Sequence, residues 1–574
     1  MNARADKILK ASSIITMDPA KPRAEAVAID TGSGRIAGVG SLAECVQLFP
    51  TATVDDLGDK VLLPGFVEAH NHPFTSGTIT QDPAYWIAPY VGYPFWSDVE
   101  ALFVNLDKER PAGEPLLFSG LDRMLQKVKE PDNVTLDKYF PHRPILIVDN
   151  SGHEVYFNSA AISMLGWDKE PPPDPTGARF GRNSDGTSNG RAYEMAAMSA
   201  AVAPMISKVV THPLHSAAQW FALMSRNGIT TTSEMTYSTE FLVGFEALAS
   251  TENVPLRVSL YHVSYAPDAG DKLSIKTPES LLRKQGVKLW GDGSPWVGNV
   301  ANSFAYLDSP TVRDAGIPLG PAGESAMNYT RLELDQILDK YAPQGWQMSF
   351  HINGDIGMDI VLDAYEDALV RHNLLGTDHR WRIEHCGAGR ADQFERAASL
   401  GVTASIGPFQ FIYWGDLLDG KIFPPEIGAQ WMQFASAQNA GVQPSFHNDG
   451  SVSPPIPLLN IQTAITRMTP SGAVHGPDQI ISLEDALKAE TTHAARQLFR
   501  EDEVGSIETG KLADFVELSK DPYLADSTQL TEQVKVEGTW LGGRRLDLDV
   551  FLAEVKAIDP TEHQHLAKLN PHPC

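Results

Sequence analysis

The side chains of this sequence that could bind a metal ion stand at the ends of separate apolar runs. In His70-Asn71-His72 the two imidazoles lie two residues apart, so an extended chain turns both toward the same side. Nitrogen and oxygen donors of this kind suit a divalent transition ion, with zinc favoured. The sequence therefore predicts a metal centre. The further residues of this type are Lys288, His351, His385 and Asp449.

Each of these residues also has a structural interpretation when it is taken alone. A lone buried histidine is more often a hydrogen-bonded core residue, Lys288 could pair with an acid, and Asp449 before Gly450 could serve a turn. The joint pattern favours the metal centre, because ligand-type residues at the same end of five separate strands rarely arise by chance.

The elements that must position these residues alternate between strand-like apolar runs and stretches of helical periodicity. This pattern predicts a parallel sheet, and eight strands would close an α/β fold, the (β/α)₈ TIM barrel, whose chemistry lies at the carboxyl ends of the strands. A ninth run at 145–148 is left outside the barrel, because it lies in a long irregular segment. The eight runs are 65–72, 228–234, 256–263, 286–292, 347–352, 380–385, 401–406 and 441–447.

The chain divides into three predicted units. Both ends consist of short strands separated by turn signals, which indicates one β module built from residues 1–62 and 500–574. The barrel takes residues 63–74 and 221–499. Residues 75–220 are far too many for a connection between two barrel strands, so they are predicted to form an inserted subdomain that covers the active site.

The composition excludes several classes of partner. A net charge of −26 over 574 residues argues against nucleic acid, which requires a basic surface, and against an anionic membrane. No apolar stretch reaches the length of about 18 residues that a membrane span needs. The three cysteines, Cys45, Cys386 and Cys574, are too few and too far apart for a disulfide framework, so a cytoplasmic location is expected.

Taken together, the motifs resemble those of the amidohydrolase superfamily of metal-dependent hydrolases. Within it, the chain is similar to the amidohydrolase-3 branch, which includes N-substituted formamide deformylases. The resemblance covers about residues 6–545, and it implies that the terminal module is a β-sandwich. The motifs that carry it are Leu63 to Pro73, Val287 to Gly293, His351 to Asp355, Arg382 to His385, Asn448-Asp449 and Val504 to Asp514.

The resemblance also implies a role for each ligand-type residue. His70 and His72 match the pair that binds the more buried metal, and Lys288 matches a lysine that is carboxylated and bridges two metals. His351 and His385 match the ligands of the second metal. Asp449 matches the aspartate that contacts metal and carries the proton in catalysis. The implied cofactor is Zn²⁺, two ions bridged by carboxylated Lys288, with operation on a single ion left open.

Three positions depart from the pattern of the branch. Glu68 stands where aspartate is usual, but this position is not a metal ligand in the family. His447 adds an imidazole near the site, in His447-Asn448-Asp449. Cys386 follows His385, and its thiol is expected to point away from that histidine and to pack in the core.

The inserted segment and the loops after the strands supply the predicted substrate-binding residues. His153 matches a Gly-His motif that the branch often carries, and it could bind the substrate or serve only structure. The best candidates among the aromatic residues are Trp290, Trp296 and Trp414, since each follows a barrel strand. An apolar or aromatic substrate would suit a pocket of this kind.

The resulting hypothesis is a zinc-dependent amidohydrolase that cleaves a carbon–nitrogen bond, other than a peptide bond, of a small apolar or aromatic molecule. Metal-activated water would attack, and Asp449 would pass the proton to the leaving group. Hydrolysis of an ester, lactone or carbamate would use the same residues. A deaminase or decarboxylase is disfavoured by Lys288, and a non-catalytic binding protein by the intact ligand set. The expected partner is a small molecule, and the resemblance implies a homodimer.

Overall fold

The computed structural model describes residues 4–175 and 177–558, and its first elements form a sheet. Strand β1 bends so that its first half pairs in parallel with β4 and its second half with β5. Strands β2 and β3 follow as antiparallel neighbours of β1. The elements are β1 (Lys7–Ile15), β2 (Arg23–Asp30), β3 (Arg35–Gly40), α1 (Leu42–Leu48), β4 (Thr53–Asp56) and β5 (Val61–Pro64).

A short strand and a helix then lead into the inserted segment, which folds around its own six-stranded sheet. The order of that sheet is β11-β12-β10-β9-β8-β7, and it includes the ninth apolar run, as β9. The elements are β6 (Phe66–Glu68), α2 (Pro73–Thr80), β7 (Tyr85–Trp86), α3 (Trp96–Glu109), β8 (Leu116–Leu121), α4 (Asn133–Asp137), β9 (Ile145–Asp149), β10 (Glu154–Phe157), α5 (Ser159–Leu165), β11 (Arg179–Arg182), β12 (Ser188–Tyr193) and α6 (Met195–Val209).

The middle of the chain forms the barrel. All eight predicted runs overlap strands of one parallel sheet, whose order β19-β18-β17-β16-β15-β14-β13-β6 follows the chain. The prediction of a TIM-barrel-like fold is confirmed. The strands after β6 are β13 (Ile229–Tyr237), β14 (Arg257–Val263), β15 (Leu282–Trp290), β16 (Gln347–Ile352), β17 (Arg382–His385), β18 (Thr403–Ile406) and β19 (Ser445–Phe446).

Helices surround these strands and connect them. The three helices that the apolar spacing predicts most clearly are α10, α11 and α12, and the predicted ranges 332–341, 357–371 and 392–400 lie within them. The helices are α7 (Pro213–Arg226), α8 (Leu242–Ala249), α9 (Pro310–Asp314), α10 (Arg331–Tyr341), α11 (Asp355–Arg371), α12 (Ala391–Leu400), α13 (Pro408–Leu418), α14 (Pro425–Gly428), α15 (Phe434–Asn439), α16 (Pro457–Thr466), α17 (Leu483–Ala489) and α18 (Thr492–Gln497).

A buried carboxylate joins the first and last strands of the barrel. Among the described residues no backbone ladder pairs β6 with β19. Instead Glu68, at the end of β6, accepts the Asn448 backbone N–H at 2.5 Å and the Asn448 Nδ2 at 3.0 Å. Asn71 Nδ2 donates to the same carboxylate at 3.1 Å. The residue that departs from the family pattern therefore ties the two chain segments that carry His70 and Asp449.

The last elements return to the N-terminal sheet. Strand β20 pairs antiparallel with β5, so strands from both ends of the chain share one sheet of order β22-β21-β20-β5-β1-β2-β3. The described part of the predicted segment 500–574 ends at Ile558, and residues 559–574 lie outside the described residues. The elements are β20 (Phe515–Leu518), α19 (Leu530–Gln533), β21 (Val536–Leu541), β22 (Arg544–Arg545) and α20 (Leu548–Ala557).

Across residues 4–175 and 177–558, every helix is too short or too polar to span a bilayer.

Candidate metal centre

Three ligand-type side chains meet just beyond β6 and β19. Asp449 Oδ1 lies 3.4 Å from His70 Nε2 and 3.2 Å from His72 Nε2. The donor atoms of this group all lie within 4.8 Å of one another, which is close enough to share one ion. The strand β6 ends at Glu68, so His70 and His72 converge from the chain that follows the strand, and not from within it.

The other oxygen of Asp449 faces a second group of imidazoles. His385 Nδ1 lies 3.8 Å from Asp449 Oδ2 and 3.1 Å from His447 Nε2. These donor atoms also lie within 4.8 Å of one another. The extra imidazole that the sequence predicted near the site is therefore in contact with His385. Asp449 stands between two groups, one on each of its oxygens.

Lys288 lies against the first group on β15. Its Nζ is 3.3 Å from His70 Nε2, and the side chain is almost fully buried. Burial lowers the pKa of the Lys288 amine to about 8. A buried amine of lowered pKa is the form that can react with CO₂, since the neutral amine carries the lone pair.

His351 completes the set from β16. Its ring centroid lies 4.4 Å from that of His385 and 4.9 Å from that of His153. His351 Nε2 is 3.0 Å from the carbonyl oxygen of Gly293, a contact that assigns the proton to Nε2 and leaves the Nδ1 lone pair for a metal. All six predicted ligand residues thus line one cavity, although His351 and Lys288 lie outside the two donor groups.

A buried carboxylate fixes the orientation of His70. Glu384 Oε2 lies 2.7 Å from His70 Nδ1, so that nitrogen donates and Nε2 keeps its lone pair toward Asp449. Arg382 contacts both oxygens of Glu384, at 2.7 and 2.9 Å, and the Ser349 hydroxyl donates at 2.8 Å. Burial acts to raise the pKa of Glu384, but the Arg382 guanidinium and His70 outweigh it and hold that pKa below its ordinary value.

Polar side chains of β13 orient His72 in a similar way. Its Nδ1 lies 3.2 Å from the Thr236 hydroxyl and 3.6 Å from Glu234 Oε1. Glu234 in turn accepts the backbone N–H groups of Phe74 and Thr236. Both imidazoles of the His-x-His motif therefore have their outer nitrogen engaged by the barrel.

His153 reaches the centre from the inserted segment. Its Nδ1 lies 2.9 Å from Glu194 Oε2, and Asn299 donates to the other oxygen of Glu194. Burial acts to lower the pKa of His153, but Glu194 outweighs it and raises that pKa above its ordinary value. Glu194, which lies 41 residues away in the chain, thus engages the Nδ1 of His153 and orients its ring.

The predicted ligands line one cavity of about 660 Å³. His153 and Trp290 also line it. The other two predicted substrate-binding residues, Trp296 and Trp414, are not among the described residues that line it. Their rings stack on each other at 4.3 Å and 14°, and Trp414 Nε1 donates to Asp122 at 2.9 Å. These are the contacts of packing residues.

Two neighbouring polar residues stay out of the donor groups. Cys386 is buried in the main hydrophobic core, as expected from its position after His385. Asp292 accepts the backbone N–H groups of Asn353, Gly354 and Ala301 at 2.9, 2.8 and 3.1 Å, so it holds the loops beside His351 together.

His447 belongs to the second donor group, but its position differs from that of the other donors. It lies behind His385 and is fully buried, outside the described lining of the cavity.

The donor set fits a divalent transition ion. Several imidazole nitrogens and one carboxylate converge, and the described residues that line the cavity include no arginine. An outer hydrogen bond fixes His70 in the tautomer that a ligand needs. Histidines that serve only to fill a core would each form separate hydrogen bonds. Here the inner nitrogens of His70 and His72 point at one carboxylate oxygen, which matches a ligand shell.

Comparison with known proteins assigns the family. The model of the amidohydrolase family matches residues 53–547. The chain belongs to the amidohydrolase family. It is thereby assigned to the metal-dependent hydrolases.

Relatives of this amidohydrolase span more than nine-tenths of its length. An N-substituted formamide deformylase of Arthrobacter pascens is 26% identical over 95% of this chain and 98% of its own. A putative amidohydrolase of Bacillus subtilis, YtcJ, is 24% identical over 92% of this chain and 97% of its own. The crystal structure of an uncharacterized metal-dependent hydrolase from Pyrococcus horikoshii covers 91% of this amidohydrolase and 99% of its own chain, at 21% identity and a TM-score of 0.67, which shows the fold.

Proposed function

We propose that this amidohydrolase cleaves an amide-type carbon–nitrogen bond with zinc as its metal. His70, His72 and Asp449 would hold one ion. His351 and His385 would hold a second, with carboxylated Lys288 between the two. The observation that supports this assignment is the position of Asp449, whose two oxygens face two separate histidine groups beside a buried lysine.

When zinc is bound, it supplies a water of lowered pKa and a Lewis acid for the substrate carbonyl. Asp449 accepts the proton of the attacking water on a carboxylate oxygen and delivers it to the leaving nitrogen. An amine is a poor leaving group unless it is protonated, so this transfer is essential for an amide. Glu384 keeps His70 in one tautomer throughout, because Arg382 holds the carboxylate in place.

His153 would bind the carbonyl oxygen of the substrate. Its Nδ1 is engaged by Glu194, so Nε2 is the nitrogen that faces the cavity. The raised pKa of His153 favours a ring that donates from that nitrogen. A donor aimed at the oxygen on which negative charge develops stabilises the transition state. Trp290, on the same face of β15 as Lys288, would form an aromatic wall beside the reacting group.

An amide is favoured over an ester by a relative. The Arthrobacter protein is an N-substituted formamide deformylase, and it shares 26% identity with this chain over nearly its whole length. The proposed substrate is therefore a small amide with an apolar or aromatic substituent. Esters, lactones and carbamates remain the alternative, because an alkoxide needs less help to leave and the same residues would serve.

Metal removal and restoration test the proposal. The purified protein would be assayed for zinc and then for hydrolysis of N-benzylformamide and of benzyl formate, which share one apolar group and differ in the bond that breaks. We expect activity on the formamide that chelation removes and zinc restores. Hydrolysis of the ester alone would overturn the amide assignment, and hydrolysis that survives removal of all metal would overturn the metal site.

The proposal extends to the organisation of the chain. We propose a β-sandwich of residues 1–62 and 500–574, a catalytic barrel of 63–74 and 221–499, and a covering subdomain of 75–220. We also propose a cytoplasmic homodimer that acts on a small molecule and on neither nucleic acid nor membranes. The buried free thiols of Cys45 and Cys386 support a reducing compartment.

A further inference from the structure

The helix α6 of the inserted segment has two apolar faces. From Met195 to Ile206 it carries no charged residue. One face, with Ala197, Ala201 and Met205, packs into the core of the insertion. The face with Met198, Val202 and Ile206 also contacts that core, and in addition it lines the cavity that holds the metal ligands. The lining residues of α6 recur at helical spacing and are Met195, Met198, Ser199, Val202, Ala203, Ile206 and Ser207.

Further apolar side chains line the cavity from α2 and from the barrel, together with the hydroxyl groups of Thr75, Ser76 and Thr78. Phe74 and Ile79 of α2 line the cavity directly after the His-x-His motif, and Phe241 and Trp290 line it from the barrel. Cavities of about 300–1,000 Å³ accept drug-sized ligands, and this one measures about 660 Å³. The space therefore exceeds what a formyl group and a single small substituent would fill.

Charge in the cavity is distributed unevenly. Lys288 is the only lysine or arginine among the described residues that line it, and its Nζ lies against His70. Apart from Asp449, the lining carboxylates are Glu240 and Asp268. A substrate carboxylate is normally recognised by an arginine or lysine. Away from the metal ligands and His153, a substrate carboxylate would meet apolar side chains, hydroxyl groups and two acids, with no lysine or arginine among the described lining residues.

We propose that the substrate is an uncharged amide whose elongated apolar substituent lies along α6, and that α6 selects against substituents that carry a carboxylate. This inference rests on the proposed function only in that the amide end meets the metal centre. The apolar face of α6 would contribute affinity in proportion to the area it removes from water. Each further methylene of an unbranched substituent should tighten binding about fourfold until the cavity is filled.

Binding of unreactive carbonyl compounds to the zinc-loaded protein separates this inference from catalysis. Methyl ketones carry a carbonyl but no leaving group, so calorimetry can measure their affinity without turnover. From 2-pentanone to 2-octanone, three added methylenes should lower the dissociation constant about sixtyfold. A matched pair, 2-octanone and 7-oxooctanoate, differs only in the terminal carboxylate. We expect the carboxylate to bind at least about tenfold more weakly.

Substitution in the lining of α6 tests the position of the substituent. Ala203→Phe should fill the space beside the helix and flatten the dependence of affinity on chain length. Ala101→Phe places the same ring at an exposed position of α3 and should leave that dependence unchanged. Where Ala203→Phe fails to fold, Val202→Thr is a nearly isosteric second variant, and it should reduce the gain per methylene.

The outcomes are distinct. Equal affinity for 2-pentanone and 2-octanone, or for 2-octanone and 7-oxooctanoate, would overturn the inference. It would also be overturned if Ala101→Phe flattened the dependence of affinity on chain length and the α6 variants did not. A steep ketone series without hydrolysis of any amide would overturn the proposed function, and it would leave standing only the part of the inference that places an apolar, uncharged substituent along α6. Hydrolysis of formamides together with a flat ketone series would support the proposed function and overturn the inference.

Discussion

The two sides of the cavity are built on different physical principles. On the barrel side, His70, Glu384 and Arg382 form a chain of buried polar contacts in which every group has a partner. On the side of the insertion, α6 presents methionine, valine and isoleucine side chains that make no directed bonds. Polar networks fix geometry to fractions of an ångström, whereas apolar walls adapt to the shape of what they contact.

This difference separates catalysis from selection. The barrel side has the residues that a single reaction needs, and changing one of them should abolish that reaction. The insertion side determines which molecules reach the reaction, and changing it should alter preference while the chemistry persists. Substitutions on each side, ranked by the size of their expected effect, test whether the two functions are separate.

The largest effect is expected for Asp449→Asn. The amide cannot accept the proton of the attacking water, so kcat should fall by about 10²–10⁴ while the variant stays folded. Steady-state kinetics on the best formamide, together with the zinc content, measure this. Asp359→Asn, at a partly exposed aspartate paired with Arg390, is the matched control. An Asp449→Asn variant as active as the parent would refute the proton transfer.

A smaller effect on a different quantity is expected for Glu384→Gln. The substitution frees the His70 tautomer and leaves the buried Arg382 without its charge partner. Zinc affinity should fall about 10–100-fold. The free energy of unfolding should fall by about 3–5 kcal/mol, because an unpaired charge remains buried. Competition with a chelator and denaturant titration measure the two effects.

The control for Glu384→Gln is Glu366→Gln. Glu366 is half exposed and pairs with Arg396 at 2.6 Å, so its loss should change stability by less than about 1 kcal/mol and leave zinc affinity unchanged. Equal effects of both substitutions would show that the Glu384 network does not position His70.

The His-x-His spacing, the barrel strands and the strand-end positions of His351 and His385 follow from local sequence. Periodicity reports which residues face the core, and barrel geometry then brings strand ends together. The strand lengths do not follow in this way: β6 and β19 are only three and two residues long, although the apolar runs around them are longer. The residues that flank β6 and β19 are apolar because neighbouring segments bury them, although they are not part of the paired strands.

The long-range partners could not be predicted. Glu194 lies 41 residues beyond His153, and their contact depends on how β10, β12 and α6 pack inside the insertion. The bridge from Glu68 to Asn448 spans 380 residues. Trp290 is the last residue of β15, whereas Trp296 and Trp414 come after barrel strands and pack into the core. The sequence did not separate the three, because the position of a residue after a strand does not say which way its side chain points. Tertiary packing decided each of these cases.

The pH dependence of Lys288 carboxylation should show an intermediate effect. Carboxylation forms an N–C bond between the amine and CO₂ and releases one proton, so it requires the neutral amine. With the pKa of Lys288 near 8, the neutral fraction rises about twentyfold from pH 6.5 to pH 8.5. The rate of ¹³CO₂ incorporation into metal-free protein, measured by NMR at constant dissolved CO₂, should rise by that factor.

An exposed lysine, with a pKa near 10.4, should show a rise that does not level off over the same range. The variant Lys288→Gln should lose the part of the signal that levels off. A carbamate signal of that kind that persists in Lys288→Gln would place the modification elsewhere and would weaken the assignment of a bridged pair of ions.

The smallest effects should separate two tryptophans that sequence alone treats alike. Trp290 lines the cavity, so Trp290→Phe should raise KM about two- to tenfold with little loss of stability. Trp414 stacks on Trp296 and donates to Asp122, so Trp414→Phe should lower the free energy of unfolding by about 1–3 kcal/mol and leave KM unchanged. Kinetics and denaturant titration on both variants measure this. A raised KM in Trp414→Phe without destabilisation would place that ring at the substrate. Trp414 would then belong to the side of the cavity that selects the substrate, and not to the packed core.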